Sequence, residues 1–228
     1  MNFQNCISDS LGYLSIPEII AVITGILSVW FAKKENILVY PVGIISVLLY
    51  VYICFEVKLY ADAGINFYYF FMSVYGWYYW KHGGKNQSIE NYEPAKTIDA
   101  GLNEDIETSD KNPEAIISYN TFSQNIYYLA GTILLSGFLG YILDIYTDST
   151  VPYWDGATTA IFFIAMLLMA KKKIENWIFW IIGDAMCIPL FLTKGLCFSS
   201  LQYLIFTIIA IAGYLAWFKK LQKKYAAS

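Results

Sequence analysis

Residues 171–192 read KKKIENWIFWIIGDAMCIPLFL. A basic turn gives way to an apolar run of about the length a helix needs to cross the hydrocarbon core, roughly 20 residues. The turn recurs in the chain. KKEN at Lys33–Asn36 echoes KKKIEN at Lys171–Asn176, and each leads into an apolar stretch. At an offset of 140, Lys33, Glu35, Asn36 and Gly43 fall on Lys173, Glu175, Asn176 and Gly183, and Tyr40 falls on Trp180. After a three-residue gap, an offset of 137 pairs Gly76 with Gly213 and Trp80 with Trp217, so that GWYYWK answers GYLAWFK. The expected architecture is an all-α polytopic membrane protein in a 3+1+3 arrangement. The helix inserted between the two units restores the chain direction, so the repeats run parallel. Such repeats, related by an axis along the membrane normal, put a substrate site near the midplane between them.

Working outward, seven apolar spans are expected: 16–32, 37–55, 63–80, 124–144, 154–170, 174–192 and 198–218. Repeat one covers about 16–80, a linker helix 124–144 and repeat two 154–218, within one membrane transporter domain. Between them, 82–123 is polar, with eight acids, Pro94, Pro113 and no apolar periodicity, and reads as a flexible cytoplasmic linker. The first span has no lysine before it, unlike a cleavable signal peptide, and reads as retained. With the N-terminus outside, thirteen lysines fall inside, against Lys58 and Lys194 outside. The positive-inside rule therefore puts the C-terminus in the cytoplasm.

Composition excludes other classes. The chain has 228 residues, 57% hydrophobic and only 14% charged, where a soluble domain carries roughly 25% charge. Its net charge is −3 and it has no arginine, so the guanidinium forks that nucleic-acid recognition favours are missing. With one histidine, His82, no His-based metal or nucleophile site is expected, and no cofactor motif is present. The cysteines form no CxxC and read as small buried hydrophobes.

The sixth span carries the chemistry. On a helix, Asn176, Trp177, Trp180 and Asp184 share an arc of about 100°. A mid-membrane carboxylate costs several kcal/mol unless paired, protonated or wet, which makes Asp184 a functional residue by default. Two tryptophans one turn apart offer stacking faces to a cationic heteroaromatic ring. Gln202 on the last span, and Asn66 and Trp77 on the third, are further candidates; the two amides serve either a ligand or helix–helix hydrogen bonds. Trp217 reads as an interfacial anchor, and Glu35 and Glu175 as surface ion-pair partners. An enzyme would need an acid–base set, and Asp184 stands alone. A transporter is favoured over a membrane receptor or small membrane enzyme.

YGWYYW at Tyr75, ENWIFWIIGD at Glu175, KGL at Lys194 and SLQYLIFTIIAIAGYLAW at Ser200 resemble the PnuC-type nicotinamide riboside transporters. The resemblance spans all seven helices and is strongest from Glu175 to Trp217. It implies a SWEET-like fold in a bacterial inner membrane and a homo-oligomer, commonly a trimer. It also implies facilitated diffusion of an unphosphorylated vitamin precursor that a cytoplasmic kinase then traps. Asn176, Trp177 and Trp180 become substrate contacts. Tyr79 stands where the family usually has a ligand-contacting glutamine, and a phenol cannot reproduce an amide's donor–acceptor pair. Thiamine is the rival substrate.

Overall fold

Local signals start the helices. Ser15 accepts from the Glu18 amide while the Glu18 carboxylate accepts from Ser15 N–H at 2.7 Å, and Thr121 with Gln124 builds the same reciprocal cap. Each box satisfies amide donors that a helix start would leave open. Pro17 and Pro152 sit in first turns, where a missing N–H costs nothing.

The computed structural model describes residues 15–56, 60–83, 114–193 and 197–227. Its helices are α1 (Ile16–Lys33), α2 (Val39–Glu56), α3 (Tyr60–His82), α4 (Phe122–Tyr146), α5 (Pro152–Ala170), α6 (Asn176–Thr193) and α7 (Cys197–Ala227). Six are long and apolar enough to cross a membrane. The exception, α3, has 23 residues, which at 1.5 Å per residue is about 34 Å and enough to span. Its tyrosines and tryptophans lower its hydropathy.

Helix contacts run α1–α2–α3–α5–α6–α7 and back to α1, a closed ring of six, with α4 outside against α5. The first helix of each repeat touches the third helix of the other, as a two-fold relation demands. Two indoles make this explicit. Trp80 Nε1 on α3 donates to Met169 O at the end of α5 at 3.1 Å, and Trp217 Nε1 on α7 donates to Ala32 O at the end of α1 at 3.0 Å.

These pairs differ by 137 residues, and so does everything else that matches. Glu35 N–H donates to Ala32 O and Lys172 N–H to Met169 O; Asn36 N–H donates to Phe31 O and Lys173 N–H to Leu168 O. Among the described residues, Glu35 and Lys172 are the two non-glycine residues with positive φ, at 58° and 56°. The helices α2 and α6 both end and both begin 137 apart. The register is therefore 137 throughout. The 140 offset read from the lysines is wrong by one helical turn, and Tyr40 is equivalent to Trp177 rather than to Trp180.

At the lysine-rich end the two repeats are built alike. The Tyr40 ring lies on Gly76, and the Trp177 ring lies on Gly213. A Cβ at either glycine would come within 2.5 Å of a ring carbon, so only glycine admits the close approach. Tyr40 meets Trp80 edge-on at 5.2 Å, and Trp177 meets Trp217 edge-on at 5.5 Å, a favourable ring geometry. Trp217 is fully buried. It is a joint between repeats, not an interfacial anchor.

Three further expectations change. The polar linker does not reach 123: Ala115 and Ile117 are buried while Ile116 and Tyr119 are exposed, a strand-like alternation before α4. Helix α7 continues nine residues past 218, keeping Leu221 buried. Cys54 and Cys187 are buried, as read, but Cys197 is disulfide-bonded. Cys6 and most of the 82–123 segment lie outside the described residues.

Candidate functional site

Asn176 opens α6 and Asp184 is its ninth residue, at mid-helix. Between them, Trp177 and Trp180 present successive rungs on the same side. Asn176 and Trp177 are fully inaccessible and Asp184 is 2% exposed, so this face looks inward. An interfacial-belt role for Trp177 is thereby excluded.

Several polar atoms on this face have no hydrogen-bond partner among the described residues. They are Asn176 Oδ1, Trp177 Nε1 and Trp180 Nε1, with Tyr40 Oη facing the same cluster. The Asn176 amide is held by Nδ2, which donates to Lys173 O; that bond fixes the oxygen's direction and leaves it unused. Buried polar atoms are nearly always paired, so a group of orphans asks for a partner beyond the described residues.

Trp180 starts a ladder of rings that crosses helices. It lies 5.4 Å from Phe162 of α5; Phe162 stacks on Tyr203 of α7 at 6.1 Å, and Tyr203 on Phe191 at 5.1 Å. Tyr203 and Tyr69 of α3 lie within electrostatic reach of Asp184. The carboxylate therefore sits among phenols and ring faces contributed by α3, α5, α6 and α7.

The remaining candidates separate. Gln202 of α7 lies near the Tyr50 phenol of α2, one position before the Tyr203 ring. Trp77 and Tyr79 pack on the same apolar cluster as Trp180, near the lysine-rich end, with Lys81 Nζ 5.7 Å from the Trp77 ring centre. Asn66 donates to Asp62 O of its own helix at 2.9 Å, so its amide is spent locally. Tyr50, Tyr69, Phe162 and Tyr203 were not singled out from sequence. In a chain with 20 tyrosines and 15 phenylalanines, only the packing distinguishes them.

Below the site, the lysine-rich end is tied by charge. Lys172, 5% exposed, pairs with Glu35 at 2.8 Å, and Lys220 reaches the other oxygen at 2.6 Å. Burial pushes the Glu35 carboxyl up, but the hydrogen bonds and charges of Lys172 and Lys220 outweigh it and hold it below its usual value. Glu35 thus bridges repeats. Glu175 Oε1 accepts from Asn120 N–H at 2.9 Å. Glu35 is an ion-pair partner as expected, but half-buried and between repeats rather than on the surface.

A sequence model of the family described as nicotinamide mononucleotide transporter matches residues 15–219. The chain belongs to this family. Among curated relatives of the nicotinamide mononucleotide transporter family, the nicotinamide riboside transporter PnuC of Escherichia coli K12 is 28% identical over 218 residues, covering 93% of this chain and 90% of its own. PnuC of Neisseria mucosa is 27% identical over 213 residues, covering 90% of this chain and 72% of its own. The riboflavin/roseoflavin transporter RibM of Streptomyces davaonensis is more distant, 20% identical over 88% of this chain and 83% of its own. A crystal structure of the vitamin B3 transporter PnuC superimposes with a TM-score of 0.66 at 24% identity, covering 97% of this chain and 88% of that one. That match establishes the shared fold. The chain is thus a multi-pass membrane protein of a transporter family.

Proposed function

We propose that the protein carries nicotinamide riboside across the membrane by facilitated diffusion, with the α6 face from Asn176 to Asp184 as its substrate site. The observation that carries this reading is the set of unpartnered polar atoms leading up to a mid-membrane carboxylate. Nicotinamide riboside is a cationic pyridinium ring with a carboxamide and a polyhydroxylated sugar. Trp180 offers the ring a stacking face, and Asp184 offers its charge a counter-ion. Asn176 Oδ1 and the two indole N–H groups meet the amide and hydroxyls. Trp177 acts through its N–H, since its ring is covered by Gly213 and Trp217. Gln202, one position before Tyr203, and Trp77 and Tyr79, packed on the cluster that Trp180 joins, are the neighbouring candidates for further substrate contacts.

The family description names the mononucleotide, whereas the relatives are named for the riboside. Charge favours the riboside. A phosphate would enter beside Asp184 in a chain with no arginine, and burying an unpaired dianion is costly. Calorimetric titration of the purified protein should show saturable binding of nicotinamide riboside, and binding at least tenfold weaker for nicotinamide mononucleotide and thiamine. Tighter binding of thiamine, or none of the riboside, would sink the assignment.

The lysine-rich end is assigned to the cytoplasm of a bacterial inner membrane, with the N-terminus outside. A reporter placed after Ser228 should behave as cytoplasmic and one at Asp148 as external; finding both on one side would defeat the orientation. A homo-oligomer, and a kinase that phosphorylates the nucleoside after entry, complete the same reading.

A further inference from the structure

The short segment before α4 does something the transport reading does not use. Residues 115–120 lie across the lysine-rich end of the helix ring and are laced to repeat two. Ser118 N–H donates to Lys172 O at 3.3 Å, and Ile174 N–H donates to Ser118 O at 3.1 Å, a parallel bridge of Ser118 with Lys173. Lys172 Nζ donates to Ala115 O at 2.7 Å, Lys173 Nζ to Tyr119 O at 3.1 Å, and Asn120 N–H to Glu175.

Toward repeat one the attachment is thinner. Ala115 N–H donates to Trp80 O at 3.0 Å, a strap hydrogen bond to that repeat, and Ile117 joins an apolar cluster to which both repeats contribute. A hollow of about 150 Å³ under the strap is lined by Ile116 and Ile117, by Glu35 of repeat one and by Lys220 and Leu221 of α7. The segment is thus a strap fixed to one repeat and resting on the other.

Lys172 is the piece common to both junctions. Its ammonium holds Ala115 O, pairs with Glu35 across the repeats and lies 4.5 Å from the Trp80 ring centre. It and its two-fold counterpart Glu35 both occupy the left-handed region, which is unfavourable for a residue with a Cβ. Two equivalent residues placed next to a two-fold axis meet each other, and here they meet as opposite charges.

We propose that the 115–118 strap and the Lys172–Glu35 pair form the gate at the lysine-rich end, and that the seam that opens runs between the strap and repeat one. Substrate leaving the α6 face toward that end must pass the Tyr40, Trp80, Trp177 and Trp217 cluster, which the strap and the ion pair close from outside. Repeat two and its strap move away together, because the bonds between them are many and internal. The broken contacts are the Lys172–Glu35 and Lys220–Glu35 pairs, Ala115 to Trp80, and the contacts of Ile117 with the repeat-one part of its cluster.

The inference rests on the transport reading, but its test needs no substrate, so the two can fail separately. Val39, 7% exposed, lies at the seam and tolerates a near-isosteric Val39→Cys. In nanodiscs, where both faces are open to reagent, maleimide labelling at that position is followed by mass spectrometry. Lys172→Met should raise the labelling rate roughly tenfold, the size expected for losing a charged hydrogen bond. Lys171→Met, which removes the same charge from the same turn, should leave it unchanged, because Lys171 faces Tyr128 of α4. Glu35→Gln, which spares the strap bond, should give a smaller rise. Glu35→Lys combined with Lys172→Glu should restore protection relative to Glu35→Lys alone. An unchanged rate in monodisperse Lys172→Met and Glu35→Gln, or an equal rise in Lys171→Met, overturns the gate.

Discussion

Asp184→Asn lowers affinity for nicotinamide riboside by about 10- to 100-fold, because a hydrogen bond or contact made by a desolvated charge is worth roughly 1.5–3 kcal/mol. The amide keeps the size and shape of the carboxylate and loses only its charge. Asp184 is 2% exposed, at the middle of α6, with Tyr69 and Tyr203 as the phenols in reach. No lysine or arginine lies between Asn176 and Thr193 to neutralise it. A cationic ligand would bring to this position a positive charge that no residue of α6 supplies. A second readout isolates charge from shape: wild type should prefer the pyridinium over its uncharged dihydro form, and Asp184→Asn should erase most of that preference. Equal loss of both ligands would instead mark Asp184 as a packing residue. The same residue is the obvious place for a coupled proton, and we expect it not to be one. In vesicles without kinase or ATP, uptake should stop at equal concentrations on both sides, whether or not a pH gradient is imposed. Uphill uptake driven by the gradient, and absent in Asp184→Asn, would contradict this.

The spans were legible because apolar length is a property of the chain alone, and each expected span overlaps a helix. The register of the repeat was not, for an instructive reason. Matching letters drew Lys33, Glu35 and Asn36 onto Lys173, Glu175 and Asn176. The two-fold relation instead sets Glu35 against Lys172, since the two touch across the axis and like charges there would repel. Sequence identity and structural equivalence thus point to different offsets at a place where the repeats meet. Trp217 was misread for a related reason. A tryptophan ahead of lysines has the pattern of a membrane-interface anchor, and only the opposite repeat's Ala32 carbonyl reveals it as a joint. The strap was hidden by its neighbours: Ala115 and Ile117 alternate with exposed residues, but too briefly to stand out beside a long polar run. On α6 the helical period was enough to bring Asn176, Trp177, Trp180 and Asp184 to one face. It could not supply Phe162 and Tyr203, which come from other helices.

Those two rings decide what Trp180 can do, and with it the second large effect. Trp180 keeps partial exposure while Phe162 lies against one side of it at 5.4 Å and 31°. The indole N–H is buried without a partner. If a ligand ring occupies the other side, Trp180→Ala removes a stacking contact worth roughly 1–2 kcal/mol, and affinity for nicotinamide riboside falls about 5- to 30-fold. Trp180→Phe keeps a ring face but not the N–H, so it should recover most of the loss and fall short of wild type. Trp177→Phe tests the other half of the motif. Its ring already packs on Gly213 and Trp217, so it should cost stability more than affinity. Trp217 cannot serve as the unaffected control, since its indole joins the repeats. Trp30 can: it is 40% exposed at the lysine-rich end, beneath Lys33, and Trp30→Phe should bind as wild type does. Calorimetric titration of each monodisperse variant reads all four. A well-folded Trp180→Ala with wild-type affinity would mean that the indole serves only the Phe162–Tyr203 ladder, and the ligand ring would then have to lie nearer the Asp184 phenols.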